Sequence, residues 1–267
     1  MSQTPEAAGA RANRALQSWT PRPQATTVVY AIAHAGSGAA AWNPVASALP
    51  EDLELRAIRL PGRENRIGSA PHTSVAAAAD EVARVIAADT AGHGKPVLLI
   101  GSCFGAMVSL AAMGVIPSGV PVRALLSVRQ PVPAHVTPAS GASPGSMSAA
   151  ELRTWLREYQ LTPAALLDDD AVYEFFEPLL RADLSMTDGY AFAGSPLEVP
   201  VFLLRTAAPE ESLDPGAWEH VTSARVRVHD VAADGDPLTE APTALAEAIA
   251  EIATLVLPAA TPAPRQT

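Results

Sequence analysis

A single cysteine stands where a strand-like segment gives way to a helix-like one. Residues 98–113 read LLIGSCFGAMVSLAAM, an apolar run that small residues interrupt before helical periodicity resumes. A tight turn from a strand into a helix needs small residues two positions before and two positions after the reactive side chain. Gly101 and Gly105 satisfy this spacing around Cys103, whereas bulky residues hold the same positions around Ser102. The spacing therefore predicts that Cys103 is the nucleophile.

A cysteine at this position gains reactivity from the helix that follows it. The amide dipoles at the start of a helix lower the pKa of a thiol and offer N–H groups to a developing oxyanion. A thiol also reacts without a base more readily than a hydroxyl does, because part of it is ionised at neutral pH. The alternative interpretation is a buried small apolar side chain, a common role for an unpaired cysteine.

Composition narrows the classes of function. The 267 residues are 48% hydrophobic, which is enough for one large buried core. Acidic residues outnumber basic residues by 28 to 18, and the net charge of -10 disfavours nucleic acid as a partner. No apolar signal core or membrane-spanning run is evident, so we expect a cytoplasmic protein. One cysteine allows neither an internal disulfide nor a cysteine-based zinc site.

Strand-like and helix-like segments alternate along the chain. Short β-branched runs such as TTVVYAIA, PVLLIG and VPVFLLRT are separated by longer Ala-rich helical stretches, and this alternation predicts a parallel α/β sheet. Between residues 131 and 195 helical periodicity continues without strands, which predicts a helical lid. We therefore expect an α/β domain over residues 26–257, with disordered tails at 1–25 and 258–267.

Four motifs, in their order along the chain, resemble one family. They are AHAGSGAAAW at residues 33–42, LPGRENR at 60–66, GSCFGA at 101–106 and LRAD at 180–183. Together they resemble the type II thioesterases of polyketide and nonribosomal peptide biosynthesis, over a region from about Val28 to Val256. The resemblance implies an α/β-hydrolase fold, which has a mostly parallel central sheet, helices on both faces and a helical lid.

The resemblance also implies a substrate and an oxyanion site. The substrate would be an acyl chain held as a thioester on the phosphopantetheine of an acyl or peptidyl carrier protein, and the enzyme would need no cofactor of its own. The oxyanion would be bound by the backbone N–H groups of Phe104, after the nucleophile, and Ala35, in the loop after the first core strand. His34 in that loop is interpreted as a residue that orients the loop, and the alternative is a catalytic role. Members of the family usually carry serine in place of Cys103.

The other two members of a catalytic triad are missing from their expected positions. A triad requires an acid after the strand VFLLRT and a histidine after the last strand. The first segment continues with AAPEES, in which Glu210 and Glu211 come slightly late. The second places Gly235 at the histidine position, with an aspartate on each side. His229 could replace the base only if the last strand ends early; otherwise it is a strand residue.

Three functions compete on this evidence. The first is a thioesterase-like enzyme that releases, transfers or cyclises carrier-bound acyl chains through Cys103; without a base, water would be the poorer acceptor. The second is an editing hydrolase with an unusual triad of Cys103, His229 and a displaced acid. The third is a non-catalytic relative that binds a carrier protein. We favour the first, with a role in antibiotic biosynthesis.

A carrier protein would need a basic patch on which to dock. Carrier proteins in the resembling systems are typically acidic, as is this chain, so docking requires a local excess of cations. Arg59, Arg63 and Arg66 around the LPGREN motif, together with Lys95, are the candidates. The alternative is that these are scattered, solvated charges.

Overall fold

A single mixed sheet organises the protein. The computed structural model describes residues 14–129, 144–158, 162, 164–187, 190–192, 194–207 and 215–257. The sheet in this part of the chain has seven strands in the order β1-β3-β2-β4-β5-β6-β7, and every neighbouring pair is parallel except β1 with β3. The strands are β1 (Leu16–Gln17), β2 (Thr27–Ile32), β3 (Leu53–Ile58), β4 (Val97–Ser102), β5 (Val122–Val128), β6 (Val201–Arg205) and β7 (Val226–Asp230).

Helices cover both faces of this sheet, which confirms the predicted fold class. The α-helices are α1 (Asn43–Ala48), α2 (Val75–His93), α3 (Phe104–Met113), α4 (Ala149–Glu158), α5 (Ala164–Asp168), α6 (Asp170–Thr187) and α7 (Pro242–Val256). Helices α1 and α7 pack on one face, and α2 and α3 pack on the other. Helices α4 to α6 lie between β5 and β6, where the sequence predicts the lid. Within the described part of the chain, no helix is long and apolar enough to cross a membrane.

Side-chain alternation along the buried strands divides the core in two. On β4, Leu98 and Ile100 point to the face covered by α1 and α7, whereas Val97 and Leu99 point to the face covered by α2 and α3. All four are fully buried. A strand that is buried on both faces has a continuous apolar sequence, as this one does, and such strands are typical of parallel sheets.

The predicted disordered tail, residues 1–25, includes residues that belong to the fold. Residues 16 and 17 form an antiparallel edge strand with β3, and the flanking Ala15 and Ala25 are buried. The backbone N–H of Arg59 donates to the carbonyl oxygen of Ala15 at 2.7 Å. A strand of two residues is too short to show the alternation by which strands are recognised in a sequence. Residues 1–13 and 258–267 lie outside the described residues.

The turn from β4 into α3 depends on two glycines. A Cβ atom added to Gly101 would lie within 3.0 Å of the backbone of Gly105 and Ala106, and one added to Gly105 would lie within 3.0 Å of the carbonyl oxygens of Ile32 and Ala33. Backbone atoms cannot give way as a flexible side chain can. The close approach of strand and helix therefore makes any larger residue at either position destabilising, because the backbone would have to shift.

A buried ion pair joins the lid to two loops at the edge of the sheet. Asp183 in α6 is fully buried, and its carboxylate accepts from Arg63 Nη2 at 2.8 Å and from the N–H of Gly36 at 2.8 Å. Arg63 also donates to the carbonyl oxygen of Ser37 at 2.8 Å. Charges are tolerated inside a protein when they are paired and hydrogen-bonded, as both are here. The pair fixes α6 against the 34–37 loop and the segment that carries Arg63.

Replacing Asp183 by asparagine should lower the free energy of unfolding by about 3 to 5 kcal/mol, because the Arg63 guanidinium would stay buried without its charge partner. The matched control is Asp170→Asn on the same helix, whose carboxylate is 82% exposed in its pair with Arg153. That variant should lose less than about 1 kcal/mol. Urea unfolding measures both values, and equal losses in the two variants would contradict a special role for the buried pair.

Replacing Gly101 by alanine should cost about 1 to 3 kcal/mol of stability, because the new methyl group would press on the backbone of the following helix. Gly119→Ala is the control, since an added Cβ at Gly119 meets nothing within 4 Å. That change should stay within about 0.5 kcal/mol of the wild type. The midpoints of chemical unfolding give the comparison, and a Gly101→Ala variant as stable as its control would show that the turn is looser than described.

Candidate active site

Cys103 occupies the turn between β4 and α3. Its backbone has φ 51° and ψ -115°, a left-handed conformation that is rare for a residue other than glycine. The Cys103 N–H donates to the carbonyl oxygen of Val128 at 2.8 Å, which ties the turn to β5. Ser102, by contrast, belongs to β4 and is 1% exposed. Cys103 is half-buried, its backbone is strained, and a helix begins at the next residue. This is the geometry of a nucleophile elbow, as the glycine spacing predicts.

The two backbone groups predicted to bind an oxyanion belong to the start of α3 and to the loop after β2. Phe104 is the first residue of α3, so its N–H has no acceptor within the helix. Its side chain is buried among the apolar residues on the α2 and α3 face. Ala35 lies in the loop after β2, and the next residue, Gly36, is held by the carboxylate of Asp183. Ala35 and Phe104 thus belong to the elements that the sequence predicts, and their role as oxyanion donors stays a prediction.

A cavity of about 800 Å³ includes Cys103 in its wall. Its volume lies within the range usual for small-molecule sites. The carboxyl ends of the parallel strands and the loops that follow them form one side, which is the usual position of a ligand site in such a sheet. The lid forms the opposite side, with an apolar surface made by Trp155, Leu156, Leu166, Leu167, Leu180 and Leu184.

The sheet side of this cavity is polar and carries charges of both signs. The ionisable side chains in its wall include His34, Arg129, Asp236 and Glu240. Burial lowers the pKa of His34 from its ordinary value of 6.5; the carboxylates of Asp236 and Asp183 oppose this shift, and the guanidinium of Arg129 adds to it. Burial therefore favours the uncharged imidazole, and a proton on His34 depends on the carboxylates beside it.

The position expected for a triad histidine is filled in another way. A Cβ atom added to Gly235 would lie 2.5 Å from both carboxylate oxygens of Glu240. The side chain of Glu240 thus takes the space into which a histidine at position 235 would extend. Glu210 and Glu211, the late candidates for the triad acid, lie outside the described residues.

The structure does not bring His229 to Cys103. The strand β7 continues through Asp230, and His229 pairs in register with Leu204 of β6. Its Nε2 lies 3.3 Å from a carboxylate oxygen of Glu251 on α7, and His229 is not among the residues that line the cavity. The condition under which it could act as the base, an early end to the last strand, is not met.

The structure contradicts the predicted docking patch, because two of its four cations are buried in ion pairs. Arg59 is 6% exposed and pairs with Glu64, and Arg63 is 6% exposed in its pair with Asp183. Arg66 pairs with Glu81 at 2.6 Å. Lys95 Nζ donates to the carbonyl oxygen of Pro23 at 2.9 Å. Two of the four cations are therefore buried and unavailable to an acidic partner, whereas Arg66 and Lys95 are partly exposed.

Sequence reasoning did not assign a role to Asp236, Glu240 or Arg129. The sequence DGD around Gly235 was a signal that carboxylates replace the histidine, but nothing local shows that the chain turns back at residue 236 and brings Glu240 to the cavity. The turn is closed by the N–H of Glu240, which donates to the carbonyl oxygen of Asp236 at 2.9 Å.

Among the described residues, no group of three or more His, Cys, Asp or Glu side chains is placed to hold a metal ion.

Comparison with known structures identifies the fold. The thioesterase RedJ, from the prodiginine biosynthetic pathway in Streptomyces coelicolor, superposes with a TM-score of 0.72 at 22% sequence identity. The match covers 88% of this chain and 92% of RedJ. It confirms the α/β-hydrolase fold expected from the sequence.

Comparison of sequences identifies the family. The AMB antimetabolite synthetase AmbE of Pseudomonas aeruginosa is 34% identical over 178 residues, which is 64% of this chain and 8% of AmbE. The gramicidin S biosynthesis protein GrsT of Aneurinibacillus migulanus is 29% identical over 181 residues, which is 65% of this chain and 67% of GrsT. Residues 27–253 match the thioesterase domain family. The chain therefore belongs to the thioesterase family, whose members are enzymes that act on acyl thioesters.

Proposed function

We propose that this protein acts through Cys103 on acyl chains that are thioester-linked to the phosphopantetheine of an acyl or peptidyl carrier protein. The enzyme would release, transfer or cyclise these chains in a polyketide or nonribosomal peptide pathway in the cytoplasm. The observation that carries the proposal is the position of Cys103, at a strained turn before α3 and in the wall of a cavity of about 800 Å³. The names of GrsT and RedJ, which refer to gramicidin S and prodiginine biosynthesis, support the pathway class.

The proposed reaction begins with acyl transfer to the enzyme. The Sγ atom of Cys103 attacks the thioester carbonyl carbon, and the N–H groups of Phe104 and Ala35 stabilise the negative oxygen of the tetrahedral intermediate. The carbon–sulfur bond to pantetheine then breaks, and the pantetheine thiol leaves with the proton that Cys103 has lost. One thioester replaces another, so this step is nearly isoenergetic.

The second step depends on the acceptor. A thiol, or a nucleophile within the acyl chain itself, can attack the Cys103 thioester. Water attacks poorly unless a base activates it, and Glu240, not a histidine, fills the space beside Gly235. This arrangement favours transfer or ring closure over hydrolysis. The editing-hydrolase alternative loses its proposed base, because His229 pairs with Glu251 on α7.

The proposal predicts a persistent acyl-enzyme. After incubation with a short acyl pantetheine thioester, the intact mass of the protein should increase by one acyl group, and Cys103→Ala should show no increase. Free pantetheine should clear the adduct faster than buffer, with hydrolysis slower by about 10²- to 10⁴-fold than expected for a site with a general base for water. Cys103→Ser should form the adduct more slowly than the wild type, since a hydroxyl depends on a base more than a thiol does.

Two results would contradict this proposal. Rapid release of free acid with little adduct would identify an efficient hydrolase. A wild-type protein that neither forms the adduct nor releases acid, over several acyl chain lengths, would identify a carrier-binding relative without catalytic activity.

A further inference from the structure

His34 is the one histidine of the described part of the chain that lines the cavity with Cys103. The others have different surroundings. His72 Nε2 lies 2.7 Å from Glu81, and His93 Nε2 lies 3.1 Å from the hydroxyl of Tyr30. His229 contacts Glu251, and His220 is exposed. Of these imidazoles, that of His34 in the loop after β2 is therefore the one that could exchange a proton with Cys103.

This loop is held directly against the turn that carries Cys103. Strands β2 and β4 are parallel neighbours, with Ile32 opposite Gly101. Beyond the strand, the carbonyl oxygen of Ala33 lies 2.5 Å from where a Cβ of Gly105 would be. The residue after Ala33 is His34. Its main chain is fixed on the other side as well, because the N–H of Ser37 donates to the carbonyl oxygen of His34 at 3.1 Å.

Asp236 supplies the charge that an imidazolium would need. It lines the same cavity, from the turn after β7, and its side chain accepts from the hydroxyl of Thr239 at 3.2 Å. The other charged groups that act on His34 are Asp183 on α6 and Arg129 after β5. The carboxylate of Asp183 is already committed to Arg63 and to the N–H of Gly36. Asp236 is therefore the carboxylate best placed to stabilise a proton on His34.

We infer that His34 accepts the proton of Cys103 and that Asp236 stabilises the resulting imidazolium. The inference rests on the proposed function and adds to it a base for the Cys103 thiol; it assigns no base to water, so the predicted persistence of the acyl-enzyme is unchanged. As Sγ bonds to the acyl carbon, its proton moves to His34; as the carbon–sulfur bond to pantetheine breaks, His34 returns that proton to the departing thiolate. The base His34 then follows β2, the nucleophile Cys103 follows β4, and the acid Asp236 follows β7. No histidine is needed at position 235.

Alkylation of the lone thiol tests this proton transfer without any substrate. The rate of reaction of Cys103 with iodoacetamide, measured from pH 5 to 9, should shift to higher pH in His34→Gln. At pH 7 the rate should fall about tenfold or more, since each unit of thiol pKa changes the thiolate fraction tenfold below that pKa. His229→Gln is the matched control and should follow the wild-type profile. A residue that only shapes the loop would not displace the pH profile.

Acylation by a short acyl pantetheine, followed by intact mass, is the second measurement. His34→Gln should slow the step by about 10²- to 10⁴-fold, as expected for loss of a general base. Asp236→Asn should slow it less, and His229→Gln, whose side chain pairs with Glu251 away from the cavity, should leave it unchanged. Asp236→Asn also gives an independent test if His34→Gln folds poorly, which urea unfolding would reveal.

The outcomes separate this inference from the proposed function. If the wild-type Cys103 takes up no acyl group, both are wrong. If Cys103 is acylated normally but His34→Gln matches the wild type in acylation and in its alkylation profile, the inference alone is wrong. A loss in Glu240→Gln with none in His34→Gln would assign the base to Glu240 and would also overturn it.

Discussion

The buried pair of Arg63 and Asp183 is the interaction on which the site depends. Asp183 belongs to the lid, Arg63 follows β3, and the same carboxylate holds the N–H of Gly36 at 2.8 Å. Ala35 and His34 immediately precede Gly36. A helix of the lid therefore fixes the loop that carries one proposed oxyanion donor, Ala35, and the proposed base, His34. Two separate sequence motifs supply this pair: LPGRENR contains Arg63, and LRAD contains Asp183.

Local sequence was sufficient to predict the parts of the fold that local physics determines. The apolar run of β4, the glycines at positions 101 and 105 and the helix that follows are close in sequence, and the turn forms as their spacing predicts. The edge strand β1 was missed, because two residues carry no periodic signal. The role of Arg63 was misread for the opposite reason. Its partner lies 120 residues away, so nothing near the arginine indicates that it is buried.

The candidate site was predictable in the same uneven way. Cys103, Phe104 and Ala35 follow from motifs within single loops, and all three lie at or beside the turn. His229 could not be placed from sequence, because a shift of one residue in strand register moves a side chain to the other face of a sheet. Asp236 and Glu240 reach the cavity through a turn that closes on itself, which composition alone does not reveal.

The single cysteine of this chain lies in the wall of its cavity, and this has a consequence for resistance to oxidants. A thiolate that peroxide converts to a sulfenic acid is normally rescued by a second cysteine, which forms a disulfide and is then reduced. No such resolving residue exists in this sequence. Repair of Cys103 must come from a thiol outside the chain, and the pantetheine arm that delivers the proposed substrate carries one when it is unloaded. An unacylated carrier would then form a mixed disulfide with the oxidised Cys103 and release water, and a second external thiol would reduce that disulfide and restore the enzyme.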